Sequence, residues 1–600
     1  MGGFTGFLDK DGDALALMLK NISHRGPASS GTYMDEGVSM GVCGSGDGGG
    51  GCRPLLNEDE TVVMVFDGTL YNGDELRDKL MSAGHSFSAS LGEEAVIHAY
   101  EEYGCDFLPM LRGMFAFAIY DKPKKRLFCA RDPFGIKPLY YYGGGPFMFG
   151  SEIKSFLPHP GFKKELNLEA LPNYLTFQYS VLDETFFKGV VRLKPGHSMV
   201  CENGAVKTDR YFEPAFAPKG MDLNEAVESI DKTVCETVEL YKNAGNAEAG
   251  AFLSSGVDSS YVAACMGGGK TFTVGFENDD YNEIPYAEAL SKKIGAGNIS
   301  ARITSDEFWE SLKTIQYQMD EPLADPSAVA LYFASRLAAR HVKVAMSGEG
   351  ADEFFGGYNI YREPIDLKAL TSLPGPIRKF LGRAASALPF DVKGKNFFIR
   401  GGKTVEERFI GNANIFSVRE RERILKRKGG GADPSELTKP YYERCEGKDD
   451  ITKMQTLDIQ MWMAGDILLK ADRMSAAHAL EIRTPLLDME VFKLASGMPV
   501  NLRTNKTDTK YAFRQAAKKR LPEEVAKKKK LGFPVPIRVW LREEKYYSIV
   551  KEYFTDETAA VFFHTDRLLE YLEEHKNGKR DNSRKIWTVL MFLIWYGQYF

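Results

Sequence analysis

At 600 residues the chain is too long for one ordinary hydrophobic core, so two or three domains are expected. Hydrophobic residues make up 44% and charged residues 26%, with a formal net charge of −5, which excludes a disordered chain and leaves no footprint for nucleic acid or an anionic membrane. The eight cysteines form no CxxC pair and no run of 18 apolar residues occurs, so reduced thiols and a cytoplasmic location are expected.

Up to about residue 210 the apolar segments are short and strand-like. Residues 61–66 form a β-branched run that Asp67-Gly68 is expected to end as a turn. Residues 73–84 and 93–103 carry helical spacing. Residues 114–120 and 126–130 read as a hairpin closed by Asp121-Lys122-Pro123-Lys124. These elements make an α+β domain over residues 1–210. A Pro-containing connector at 213–220 marks a boundary, and a helix is expected over 224–242. Short buried strands at 250–253, 271–276 and 342–346 then alternate with helices, the pattern of a parallel, doubly wound sheet. Residues 365–450 read as polar and irregular, and the chain from about 451 as helical, so the second domain covers 221–600. The basic run at 527–530 reads as a solvated helix end or loop.

Two strand ends carry chemistry. Leu253-Ser254-Ser255-Gly256-Val257-Asp258-Ser259-Ser260 closes one strand and opens a helix, so backbone N–H groups, hydroxyls and a helix N-terminus converge as a pyrophosphate cradle. It is not a Walker loop, because no Gly-Lys-Ser/Thr follows. Ser347-Gly348-Glu349-Gly350-Ala351-Asp352-Glu353 closes the strand at 342–346. Its three carboxylates need a metal or cationic partner.

The first segment resembles the Ser-Gly-Gly-x-Asp-Ser loop of the PP-loop ATP pyrophosphatases, with Ser255 where that family usually has Gly. The second resembles the Ser-Gly-Glu/Asp-Gly-x-Asp-Glu motif of class B asparagine synthetases. Asp320-Glu321-Pro322, Asp325-Pro326-Ser327, Asp472-Arg473, Glu481-Ile482-Arg483, Lys510-Tyr511-Ala512-Phe513-Arg514 and Gly532-Phe533-Pro534-Val535-Pro536 follow in the same family order. The resemblance implies ATP with its adenine against Leu253 and Val274. Ser254, Gly256, Asp258 and Ser259 would hold the pyrophosphate, beside Ser347 and Gly348. Asp258 and Asp352 would bind Mg²⁺, Glu349 would face the acyl-adenylate and amine, and Lys510 would stabilise charge.

The first 200 residues resemble a class II glutamine amidotransferase domain through Gly3-Phe4-Thr5-Gly6-Phe7, His24-Arg25-Gly26-Pro27, Leu111-Arg112-Gly113-Met114-Phe115 and Ala130-Arg131-Asp132-Pro133-Phe134-Gly135. The implied fold is an α+β N-terminal-nucleophile-type sandwich, followed by the α/β doubly wound PP-loop domain with a helical C-terminal part. That family's nucleophile is a Cys at the chain start. Here position 2 is Gly2, the Asn-Gly oxyanion pair is Asp67-Gly68, the Arg that holds the glutamine carboxylate is missing near residues 41–44, and the Asp that holds its amine aligns with Gly92. The expected activity is therefore AMP-forming amidation of aspartate from ammonia, with the glutaminase lost. The alternative is a synthetase or cyclase acting on another carboxylate and amine, as in β-lactam synthetases and peptide macrocyclases. A homodimer and a separate ammonia-supplying partner are further expectations.

Overall fold

The computed structural model describes residues 2–44, 52–88, 92–245, 247–388, 394–528 and 534–600. The glycine-rich run beyond Gly44, Ser90 and Leu91, the last two lysines of the basic run, and Gly532-Phe533 lie outside the described residues.

Two six-stranded antiparallel sheets build the N-terminal half. One holds Gly2–Phe7, Ser29–Met34, Ser39–Gly44, Tyr140–Tyr142, Met148–Gly150 and Val190–Arg192. The other holds Leu55–Leu56, Val62–Leu70, Gly113–Asp121, Arg126–Arg131, His197–Glu202 and Ala205–Arg210. Strand Gly113–Asp121 explains the stacking, because its side chains alternate in kind. Ala116, Ala118 and Tyr120 pack between the sheets with Phe4, Met40 and Phe149. Phe115, Phe117 and Ile119 pack outward with helix Ala95–Tyr103 and with Leu76 and Leu80 of helix Gly73–Ser82. An unbroken apolar run is what a strand buried on both faces requires.

Asp67-Gly68 does not end its strand. Pairing runs on from Val62 opposite Asp121 to Leu70 opposite Gly113. Gly68, at φ +146°, lies so close to its partner strand that a Cβ would stand 2.0 Å from the Met114 carbonyl oxygen. The glycine serves close backbone approach, not a turn.

In the second half five strands form a fully parallel sheet in the order Ala296–Ile303, Gly269–Phe276, Ala249–Phe252, Val344–Met346, Glu481–Arg483. The three strands expected here are present, and the two outer ones are additions. Ala296–Ile303 is a half-exposed edge strand of mixed polarity, and Glu481–Arg483 is only three residues long. The chain leaves Ala249–Phe252 toward one edge and returns on its other side, so a switch point separates Ala249–Phe252 from Val344–Met346. Ligands of open α/β sheets bind at such a point.

Residues 365–450 are not irregular. They form short helices, among them Gly375–Ala387, Val418–Ile424 and Pro434–Glu443. Capping boxes at Thr404 and Ser417 start two of them, and their polar outer faces hide the helical period. Not all the thiols are reduced either. Cys235 and Cys265, on the packed helices Leu223–Asn243 and Val257–Cys265, are joined as a disulfide with their Cα atoms 5.1 Å apart. Helix packing makes that pair, and linear spacing gives no sign of it. Among the described residues no helix is long and apolar enough to cross a membrane.

Candidate active site

The strand Ala249–Phe252 leads through Leu253, Ser254 and Ser255 into helix Val257–Cys265, with Gly256 as its N-cap in extended conformation. The Ser254 and Gly256 N–H groups donate to Ser259 Oγ and Ser254 Oγ, each at 3.1 Å, and the two hydroxyls lie 2.8 Å apart. Donors and hydroxyls thus gather at a helix N-terminus, where anions are favoured. Ser255, the departure from the resembling loop, is buried and its hydroxyl donates to Glu283. That bond gives the extra side chain a satisfied place.

The second loop runs from Val344–Met346 into helix Ala351–Phe355. A Cβ on Gly348 would stand 2.7 Å from the Ser259 N atom, so the two loops meet backbone to backbone. The Ser347 hydroxyl donates to Glu349. Lys510 answers the question of what offsets the acidic cluster. It is 1% exposed, and its Nζ lies 2.6 Å from Asp258 Oδ1 and 2.7 Å from Asp352 Oδ1. It caps helix Tyr511–Ala517 from a left-handed backbone, φ +53°. Glu353 sits behind the pair and accepts a 2.7 Å bond from the Tyr358 hydroxyl. Burial pushes the Glu353 carboxyl up to about 7, aided by the neighbouring Asp352 charge.

A cavity of about 680 Å³ opens above these loops. Leu253, Ser254, Gly256, Asp258, Ser259, Val274, Ser347, Gly348, Glu349 and Asp352 all line it. Lys510 acts on the cavity through its two carboxylates rather than by lining it. The wall also carries residues that sequence reasoning passed over, Lys470 foremost. Helix Asp450–Asp458 continues through a π-helical stretch, Ile459–Ile467, into Leu468–Ala476, and the i,i+4 spacing sets Asp466 beside Lys470. Lys470 pairs with Asp325 and, at 3.2 Å, with Asp466, while the Gln178 amide donates to Asp466 at 2.9 Å. Burial pushes Asp466 up to about 7. The one available signal was Asp325, whose partner 145 residues away is set by the fold.

Several other motif segments join the halves instead of lining the cavity. Arg25 forms a two-pronged pair with Asp472, both bonds 2.8 Å, and also holds Asp67 at 3.0 Å and Glu152 at 2.8 Å. Arg473 reaches Glu152 at 2.8 Å and Asp320 at 3.0 Å. Arg112 clamps Asp488 at 2.9 and 3.0 Å, and the Thr69 hydroxyl donates to Glu481 at 3.1 Å. Gly2 lies at this junction too: a Cβ there would stand 2.9 Å from the Cys43 carbonyl oxygen and 3.8 Å from Asp67 Oδ1. Gly92 packs on Gly73, whose Cα a Cβ on Gly92 would approach to 3.3 Å.

A switch-point cavity with an anion-binding helix start and a lysine-bridged carboxylate pair is that of an ATP-dependent amide ligase. The family model for asparagine synthase matches residues 236–597, and that for a glutamine amidotransferase domain matches residues 1–212. The chain is 39% identical over 615 residues to asparagine synthetase (glutamine-hydrolyzing) 1 of Bacillus subtilis strain 168, covering 99% of this chain and 96% of that one. It is 39% identical over 608 residues to a putative asparagine synthetase (glutamine-hydrolyzing) of Mycobacterium bovis, covering 97% and 93%. A third relative, asparagine synthetase (glutamine-hydrolyzing) 3 of Bacillus subtilis strain 168, is 26% identical over 574 residues, covering 89% and 87%. The chain belongs to the asparagine synthase family.

Proposed function

We propose that the chain converts aspartate to asparagine, taking nitrogen from ammonia and cleaving ATP to AMP and pyrophosphate. The observation that carries this reading is Lys510 seated between Asp258 and Asp352 where the two strand-end loops touch. In the proposed reaction the side-chain carboxylate of aspartate attacks the α-phosphorus of ATP, and pyrophosphate leaves. Ammonia then attacks the acyl carbon, AMP leaves, and Glu349 takes the proton lost by the amine. Lys510 offsets negative charge gathering at the pyrophosphate, held by Ser254, Gly256 and Ser259. Asp258 and Asp352 offer two carboxylates on one cavity wall, the donor type a hard cation takes, and they would hold Mg²⁺. When bound, that ion neutralises phosphate charge.

The choice of ammonia over glutamine rests on the junction around Gly2. Gly2 itself carries no thiol, and Asp67 is ion-paired with Arg25 at 3.0 Å and Lys137 at 3.4 Å. The nearby Cys43 thiol is no substitute nucleophile, because burial pushes it up to about 12. The test is aspartate-dependent pyrophosphate release with ATP and Mg²⁺, followed by asparagine detection with ammonium or with glutamine. Asparagine from ammonium alone supports the reading. Pyrophosphate release that ignores aspartate but responds to another acid overturns the substrate, and asparagine from glutamine overturns the lost glutaminase.

A further inference from the structure

Two histidines and two glutamates of the N-terminal half converge away from the cavity. Glu58 lies on the turn between Leu55–Leu56 and Val62–Leu70, and His85 follows helix Gly73–Ser82. His98 and Glu101 stand one turn apart on helix Ala95–Tyr103. One ligand atom from each of the four lies within 4.8 Å of the others. His98 Nδ1 is 3.4 Å from Glu58 Oε2 and 3.2 Å from Glu101 Oε2, and His85 Nδ1 is 3.3 Å from Glu58 Oε1. The His98–Glu101 contact is itself a hydrogen bond, though longer than the about 2.7–2.9 Å usual for charge-assisted ones. These three spacings are also close to one edge of a tetrahedron, since ligand atoms about 2.0–2.1 Å from a central zinc stand about 3.3–3.4 Å from one another, and the four ligand atoms together need only draw in from within 4.8 Å.

The surroundings complete the pattern. The second ring nitrogen of each histidine faces a further carboxylate, His98 Nε2 at 3.8 Å from Glu94 and His85 Nε2 at 3.5 Å from Glu102. Neither contact is a made hydrogen bond, and His98 Nε2 has no hydrogen-bond partner, but a carboxylate stands where metal-bound imidazoles commonly find one. The glutamates are anchored as well: the Asn57 amide donates to Glu101 Oε1 at 2.6 Å, and the Ser86 N–H donates to Glu58 Oε1 at 2.9 Å. His98 is buried, His85 half-buried and both glutamates exposed, so an ion can enter from the rim. We infer that Glu58, His85, His98 and Glu101 hold one structural zinc ion, which ties the turn at Glu58 and the segment after helix Gly73–Ser82 to helix Ala95–Tyr103. Two imidazoles with two carboxylates favour zinc over magnesium or calcium, which take oxygen donors alone, and four protein ligands make a closed, structural site.

The test uses the full chain, stripped with a chelator and titrated with Zn²⁺ against a chromogenic chelator, with excess Mg²⁺ present to occupy the cavity carboxylates. One zinc per chain is expected. His85→Asn and Glu101→Gln should each weaken binding by about tenfold or more, and the Co²⁺-loaded protein should show the visible absorption of a tetrahedral site. These two positions are chosen because they are partly exposed, so circular dichroism of the variants should match the parent. If the parent takes up no zinc, or if H85N and E101Q bind it as tightly as the parent, the site is refuted.

Discussion

Replacing Lys510 by methionine removes the ammonium that bridges Asp258 Oδ1 and Asp352 Oδ1 while keeping most of the side-chain volume. Its left-handed backbone, φ +53°, is strained for lysine and methionine alike, so backbone conformation does not confound the comparison. Stripping one partner from a buried ion pair costs about 3–5 kcal/mol, because the remaining charges stay desolvated. Loss of one fixed charge-stabilising group from a transition state costs about 2.7–4 kcal/mol, or about 10²–10³ in kcat. Aspartate-dependent pyrophosphate release by K510M should therefore fall about a hundred- to a thousandfold, and thermal unfolding should report the stability loss separately. In K510M,D352N one of the two stranded carboxylates is gone, so stability should partly return while activity does not. Folded K510M with a release rate within about fivefold of the parent would contradict the charge-stabilising role, since that falls far below the about 10²–10³-fold loss typical of such a group.

Glu349→Gln should leave aspartate-dependent pyrophosphate release largely intact and lower asparagine formation about 10²–10⁴-fold, the range for losing a general base; the two products are measured in one reaction. Glu353 has its folded pKa raised to about 7 from an ordinary 4.5, so its stabilising contribution is present below about 4.5 and lost as pH rises through 7. Glu353→Gln should flatten the fall of the unfolding temperature between pH 5 and 8 relative to the parent, whatever slope other groups add. Gly2→Cys should give no glutamate release from glutamine, because Asp67 still places a carboxylate beside the new side chain. Arg25→Met takes the shared guanidinium from Asp67, Glu152 and Asp472, leaving Asp67 to Lys137 and Glu152 to Arg473, and should destabilise the chain by about 3–5 kcal/mol, read by chemical denaturation.

Much of this fold was legible because its signals are local. The alternation of small and aromatic residues at 114–120 specifies a two-faced strand, and the serine-rich loop after Phe252 announces a helix start. What stayed hidden depends on contacts distant in sequence. Asp67-Gly68 looks like a turn until the Met114 carbonyl is seen against Gly68. The edge strand Ala296–Ile303 is too polar for a hydrophobic pattern to mark it. Lys470 has no local distinction, and only its pairing with Asp325 and Asp466 brings it to the cavity. Segments such as Asp320-Glu321 and Asp472-Arg473 follow the family order but mainly weld the halves, a role that residue type alone does not separate from ligand binding.

That weld gives a physical reason for keeping an N-terminal domain whose own chemistry is proposed to be lost. Arg25 is fully buried and surrounded by Asp67, Glu152 and Asp472, and Arg473, equally buried, shares Glu152 and reaches Asp320. Buried charges of this kind are tolerable only together, since each guanidinium would be severely desolvated without its carboxylates. Truncating the domain would take Arg25 from Asp472 and Glu152 from Arg473, leaving Arg473 with Asp320, on the same helix that carries Lys470 to the cavity. An aspartate at position 67 then has a use of its own: in place of a neutral amide it supplies negative charge to Arg25. Both features follow from one constraint, that the junction stay electrically matched while the cavity beyond it keeps its shape.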